Sequence, residues 1–256
     1  MDFRLGEESD AFRAVVREFL DEHLTDEIRE RVHETGTVHD WDFHRALGER
    51  GWIGASWPVE YGGQGRSPFE LTAMREELRL AGAPTDGLAN TLIVARTINH
   101  LGSPELKEEL LPPVLRGEMI FALGYSEPDA GSDAAAAKTR AVRDGDEWVI
   151  NGQKMFTTLA HEAAYVFLLA RTDPEVPKHQ GLTMFLVPLD APGVEITPVH
   201  TLGGERTNVT YYTDVRVPDR LRVVEVDKGW EVANVALAFE RGGMGLTESD
   251  RLWRQT

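Results

Sequence analysis

With 43 acidic against 27 basic residues among 256, the chain carries a net charge of −16, 41% hydrophobic residues and no cysteine. That charge repels phosphate backbones and anionic bilayers, which excludes nucleic acid and membrane surfaces as natural partners, while the missing thiols exclude disulfides and thiolate metal sites and fit a cytoplasmic setting. The start MDFRLGEESD lacks the basic and apolar character of a signal segment, and no run approaches the ~20 apolar residues of a membrane span.

Residues 1 to about 118 read as helical. Phe12, Val15, Val16, Phe19 and Leu20 fall on one stripe at helical spacing. Further helices are predicted over 70–81, 92–101 and 106–115, and Pro112 with Pro113 must kink or end the last. The stretch 57–68 is a Gly/Pro-rich loop. Its glycines at 62, 63 and 65 lack the strand–turn–helix frame of a dinucleotide fingerprint.

After Met119 the pattern turns to β. Asp144-Gly145 predicts a hairpin between 140–143 and 147–150. Apolar and β-branched runs at 164–170, 182–188, 194–199 and 209–217 continue it. From Gly229, the residues Val232, Val235, Ala236 and Phe239 restore helical spacing until Arg241-Gly242-Gly243 interrupts. The expected class is α+β: an N-terminal all-α domain (1–118), a compact antiparallel β-barrel-like domain (119–225) and the start of a C-terminal helical domain (226–256).

Two segments carry the functional signal. Phe121 to Asp133 reads FALGYSEPDAGSD, a strand that stops at a proline and runs into glycine and hydroxyl residues. Such an end exposes amides and hydroxyls that can grip a polar, phosphate-bearing cofactor. Asn151 to Thr158 reads NGQKMFTT, an aromatic followed by two hydroxyls. The pair resembles the flavin-site segments of the acyl-CoA dehydrogenase family, T/S-E-P-x-A-G-S-D and K-x-W-I-T. Other landmarks follow in family order: GWIGASWPVEYGGQG from Gly51, the G-S-x-E-x-K-x-x-x-L-P-x-x-x-x-G-E pattern from Gly102 to Glu118, DVRVP from Asp214, and GWEVANVALAFER from Gly229.

The resemblance implies FAD as cofactor, an acyl-CoA thioester as substrate, an electron-transfer flavoprotein as electron acceptor, and a homo- or hetero-oligomer. It places Leu123, Tyr125 and Ser126 along the isoalloxazine, Phe156 where a tryptophan commonly packs on the flavin, and Thr157 and Thr158 just after, with the Thr158 hydroxyl near N5. Ser132 corresponds to a serine that contacts the CoA moiety near the flavin. Ala238, Phe239, Glu240 and Arg241 correspond to a segment that touches acyl-CoA, and in long-chain and isovaleryl-type members a glutamate at the place of Glu240 is the catalytic base. Members continue into a helical bundle of which 226–256 is the start. Gly124-Tyr125-Ser126 resembles bacterial members that take bulky or steroid-derived CoA esters, some of them in heteromeric assemblies. Phe156 in place of tryptophan narrows the stacking surface, and Leu159 removes a polar side chain.

Taken one at a time, the same residues have plainer readings. Ser126 and Thr158 are capping hydroxyls, Ser132 an ST-turn with Gly131, Phe156 a core aromatic, and Glu240 a charge on a solvated helix face. The eight histidines form no metal pattern and read as solvated or turn residues, and no metal site is expected. Beside the dehydrogenase reading stand a non-catalytic structural or ligand-binding subunit and a flavin oxidase or monooxygenase of the same fold.

Overall fold

The computed structural model describes residues 5–59 and 62–241. Helix α1 (Glu7–His23) buries Phe12, Val16, Phe19 and Leu20, the predicted stripe. Two short helices follow that periodicity does not reveal, α2 (Asp26–Thr35) and α3 (Trp41–Glu49). Only Ile28 of α2 is buried, so no apolar stripe marks it. Its signals are the caps: the Thr25 hydroxyl accepts from the Ile28 amide, and the Asp40 carboxylate accepts from the amides of Asp42 and Phe43 at the start of α3.

Helix α4 (Pro68–Leu80) starts at a capping box in which Ser67 and Glu70 satisfy each other's backbone amides. It packs on α1 through buried Glu77, which accepts from Arg13 at 2.7 Å and Arg17 at 2.8 and 2.9 Å. Helix α5 spans Asp86–Leu101, and α6 spans Pro104–Leu115. Helix α6 runs through Pro112 and Pro113 and stops at Leu115, within one turn of them.

The β region forms an eight-stranded sheet of mainly antiparallel pairs. Its strands are β1 (Phe121–Gly124), β2 (Arg140–Asp144), β3 (Glu147–Lys154), β4 (Tyr165–Arg171), β5 (Leu182–Pro188), β6 (Val194–His200), β7 (Arg206–Pro218) and β8 (Arg222–Val223). The order is β6-β7-β3-β2-β4-β5-β8, with β1 added parallel to β4. The path begins at β6 and ends at β8, so the expected barrel is an open sheet. One edge of β4 is shared: β1 takes its first four residues, and β2 joins in parallel only at Arg140–Arg171. The Asp144-Gly145 hairpin forms as expected, with Asp144 opposite Glu147 and Gly145 at φ 66°.

One contiguous core joins helices and sheet. The Phe121 amide donates to the Thr91 hydroxyl of α5 at 3.1 Å, and the Arg206 amide to the Gly36 carbonyl at 2.7 Å. Helix α7 (Gly229–Glu240) packs on α5 and on β5 and β4. Gly229 makes the contact with β5 possible, because a Cβ there would stand 2.6–2.7 Å from the Thr183 backbone.

The histidine expectation needs correction. His39 and His44 are buried, 6% and 1% exposed, with ring centroids 5.0 Å apart in an edge-on pair beside Trp41. Both are core side chains of the helical region. Burial pushes them down to about 4 and about 3 respectively, so both are neutral at pH 7.

Candidate functional site

The two motif segments meet. The Met155 amide donates to the Ser126 carbonyl at 2.9 Å. One residue earlier on each side, the Lys154 ammonium donates to the Tyr125 carbonyl at 3.3 Å and to the Glu127 carboxylate at 2.8 Å. This ion pair is almost wholly buried. The Lys138 and Thr139 amides, at 2.7 and 2.9 Å, also donate to Glu127. Burial works to raise the Glu127 carboxyl, but Lys154 and the two amides outweigh it and hold it below its usual range. Burial pushes Lys154 down to about 8, against the pull of Glu127. Both groups are therefore charged at pH 7, and the pair staples the end of β1 to the end of β3.

Beyond the staple the chain is held in a strained form. Phe156 and Leu159 sit at φ 60° and 64°, a region that non-glycine residues rarely occupy. The turn holds because the Thr157 amide donates to the Asn208 carbonyl at 2.8 Å and the Thr158 amide to the Phe156 carbonyl at 3.0 Å. Leu159 is buried, whereas Phe156 is 61% exposed. The core-aromatic reading of Phe156 is thus excluded: backbone strain is spent on presenting a flat apolar ring to the outside.

The threonines divide. Thr157 is buried, 3.3 Å from the Thr210 hydroxyl, which in turn lies 2.8 Å from the Tyr212 hydroxyl. It braces the loop from within and is not placed to touch a ligand. Thr158 is partly exposed and shares a 3.1 Å hydroxyl contact with Thr207. His161, given no role by its sequence, lies between the two halves of the molecule. Its Nε2 is 2.9 Å from the Thr37 hydroxyl and its Nδ1 is 3.1 Å from the Asn208 amide, while Trp41 donates to Glu162 at 2.8 Å.

On the β1 side, Leu123 and Ser126 are partly exposed. The Tyr125 ring meets Phe167 edge-on at 6.3 Å, and its hydroxyl is buried without an acceptor among the described residues. Burial, and after it the charge of Glu240, pushes this phenol far above its ordinary range. Ser132 is exposed on the loop after the tight Glu127–Ala130 turn. Its neighbour Asp133 takes a 2.6 Å bond from Lys178, which with Lys138, Arg140 and Arg171 lines a cleft of about 410 Å³. Three of these basic groups already have partners: Lys138 on Asp129 at 3.0 Å, Lys178 on Asp133, and Arg171 on the carbonyls of Ala135, Ala137 and Lys178. Ala238 and Phe239 are partly exposed on the last turn of α7, and Glu240 and Arg241 are exposed at its end. No group of three or more His, Asp or Glu side chains among the described residues is arranged to hold a metal ion.

Sequence motifs pointed at the rims of this site and missed its frame. Glu127 and Lys154 read only as letters of the two motif segments. A signal was available: Trp148, Ile150 and Lys154 share the inward phase of β3, and a lysine on that phase demands a buried counter-charge.

Residues 6–118 match the family model described as acyl-CoA dehydrogenase, N-terminal domain, and residues 122–215 match that of the middle domain. The chain belongs to the acyl-CoA dehydrogenase family. It is 46% identical to acyl-CoA dehydrogenase FadE26 of Mycobacterium tuberculosis over 76% of this chain and 49% of that protein. It therefore spans about half the length of that curated relative. Among solved structures, a variant of the Tcur3481-Tcur3483 steroid ACAD shares 41% identity at a TM-score of 0.85, over 97% of this chain and 66% of its own. The ChsE4-ChsE5 complex from Mycobacterium tuberculosis shares 40% at 0.84, over 93% and 61%. No helix among the described residues of this acyl-CoA dehydrogenase family member is long and apolar enough to cross a membrane.

Proposed function

We propose that the chain is an FAD-dependent acyl-CoA dehydrogenase, or one subunit of such an enzyme, which introduces a Cα–Cβ double bond into an acyl-CoA thioester. The observation that carries this reading is the exposed Phe156 ring, held at positive φ and joined to Ser126 through the Met155–Ser126 bond. Strained backbone that presents an aromatic beside hydroxyls suits a planar, polar-edged cofactor.

FAD fits the residues present. Phe156 would stack on the ring, Leu123 and Tyr125 would line it, and the Ser126 and Thr158 hydroxyls would bond its heteroatoms. Thr157 supports the loop from inside. When bound, FAD supplies the acceptor for the hydride leaving the substrate β-carbon. Glu240 takes the α-proton as general base, so that the C–H electron pair at Cα becomes the new double bond. Ala238, Phe239 and Arg241 border the acyl-CoA, and the exposed Ser132 contacts its CoA portion. Electrons leave to an electron-transfer flavoprotein.

The names of the solved relatives, a steroid ACAD and the ChsE4-ChsE5 complex, support a bulky, steroid-type acyl group and an assembly with a second related chain. Anaerobic mixing of the yellow protein with acyl-CoA tests the chemistry. The flavin band bleaches in the wild type and fails to bleach in Glu240→Gln. An FAD-loaded wild type that no acyl-CoA bleaches, alone or with its co-purifying partner, overturns the reading.

A further inference from the structure

We propose that His161 is a positioning residue of the flavin shelf: as a neutral imidazole it fixes the Asn208 side chain, which holds Thr157 between Phe156 and Thr158, so that the shelf keeps its form while His161 is neutral and loosens when it takes a proton. The proposal rests on the reading of Phe156 and Thr158 as FAD contacts.

Asn208 of β7 is fully buried, and its partners force the orientation of its amide. The Arg206 Nε–H donates to its Oδ1 at 3.2 Å. Its Nδ2 lies 3.1 Å from the Thr157 carbonyl, which can only accept, so Nδ2 is the donor there. The second N–H of Nδ2 goes to His161 Nδ1 at 3.1 Å. That ring nitrogen must therefore offer a lone pair. The ring proton then sits on Nε2 and donates to the Thr37 hydroxyl, 2.9 Å away in the helical region. Thr157 is gripped twice, because its amide also donates to the Asn208 carbonyl at 2.8 Å. The positive φ of Phe156 and Leu159 needs support from outside the loop, and Asn208 supplies it on both sides of Thr157.

A proton on Nδ1 would set N–H against N–H and turn one hydrogen bond into a repulsion. Three titratable or charged groups face the ring: Arg206 from β7, Glu162 beside it with an oxygen 3.9 Å from Nε2, and His39 from the helical region. His39 is neutral, and Glu162 also accepts from Trp41. Burial, and after it Arg206, holds His161 below the ordinary imidazole range against the pull of Glu162. The shelf is thus held above about pH 6.5 and weakens as pH falls below it.

His161→Asn places an amide oxygen near the seat of Nδ1, where it accepts from Asn208 and takes no proton. His161→Phe keeps a ring and removes the acceptor. The full chain is used as wild type and as both variants. FAD dissociation constants are read at about pH 7.5 and about pH 5.5. Hydrogen-exchange protection of residues 155–163 is read beside that of β4 and β5, which report unfolding of the whole. The wild type should bind FAD about fivefold more weakly at the lower pH, the scale of one lost hydrogen bond. Its 155–163 segment should lose protection while β4 and β5 keep theirs. His161→Asn should bind within about twofold of wild type at the higher pH and stay level at the lower. His161→Phe should bind about fivefold more weakly at both. Equal acid weakening in wild type and His161→Asn, a folded His161→Phe that binds as wild type does, or a loss of protection shared by β4 and β5 overturns the assignment. Should His161→Phe fail to fold, wild type against His161→Asn decides alone. A folded wild type that takes up no FAD at either pH defeats the flavin reading instead. Protection of 155–163 then judges His161: acid loosening in wild type and not in His161→Asn upholds the role, and the same loosening in both overturns it.

Discussion

Lys154 and Glu127 stand where a hydrophobic pair would give cheaper stability, since two charges must be stripped of water. Four donations to Glu127 and the Tyr125 carbonyl offset that cost and fix the relative position of two loop ends. Glu127→Ala should therefore lower the unfolding free energy by about 3–5 kcal/mol, because it strands a buried ammonium. Lys154→Met should cost less, since Glu127 keeps two amide partners. Urea titration of the two variants checks the order, and a larger loss for Lys154→Met would contradict it. The buried histidines give a pH prediction. Their folded values lie below the unfolded value, so the unfolded state binds more protons as pH falls from about 6.5 toward 4 for His39 and 3 for His44. Stability contributed by each neutral ring is present above pH 6.5 and falls by about 1.4 kcal/mol per pH unit inside that window. His44→Phe should flatten the decline between pH 6.5 and 4.5 relative to wild type; parallel declines would show that carboxylates alone set it. At this scale the sequence was legible in its two motif segments, which the structure joins at the Met155–Ser126 bond. It was opaque where burial decides, as at His39, whose polarity disguised a core position.

Among the elements, β7 shows how the site acquires its inner wall. Thr210 and Tyr212 are buried, then Val215 and Val217, so the inward phase shifts by one residue at 213–214. The pairing records the same slip: Ile150 faces Val215 while Gly152 faces Tyr212. Asp214 occupies the bulge at φ 50°, and exchanges bonds of 3.0 and 2.9 Å with the Asn151 side chain. Asp214→Ala loses the bond to its carboxylate, keeps the one from its backbone amide and keeps an unfavourable φ, so it should cost about 1–2 kcal/mol. Asp214→Gly should cost less because glycine accepts that conformation. Equal losses by thermal unfolding would show that the side-chain bond matters and the strain does not. Strong apolar stripes made α1, β4 and β5 readable. Helices α2 and α3 escaped because their definition lies in caps and in a few core residues, and the bulge escaped because alternation alone carries no register.

At the level of the whole molecule, the helical region and the sheet share one core, and polar ties at Thr37–His161, Trp41–Glu162 and Gly36–Arg206 cross between them. The mixed class was legible from the change of period near Met119. Closure of the sheet was not, because strand pairing order is a long-range property and β1 and β2 share one edge of β4. The loop that presents Phe156 is braced by β7, which His161 links to the helical region, so the shelf belongs to the assembled fold. The most direct measurement is a titration of the purified chain with FAD, wild type against Phe156→Ala. A bound flavin spectrum with saturable affinity, weakened by about tenfold in the variant through loss of roughly 1–3 kcal/mol of aromatic stacking, is the predicted result. A folded wild type that takes up no FAD, or a Phe156→Ala variant that binds it equally well, would contradict the shelf formed by Ser126 and Phe156.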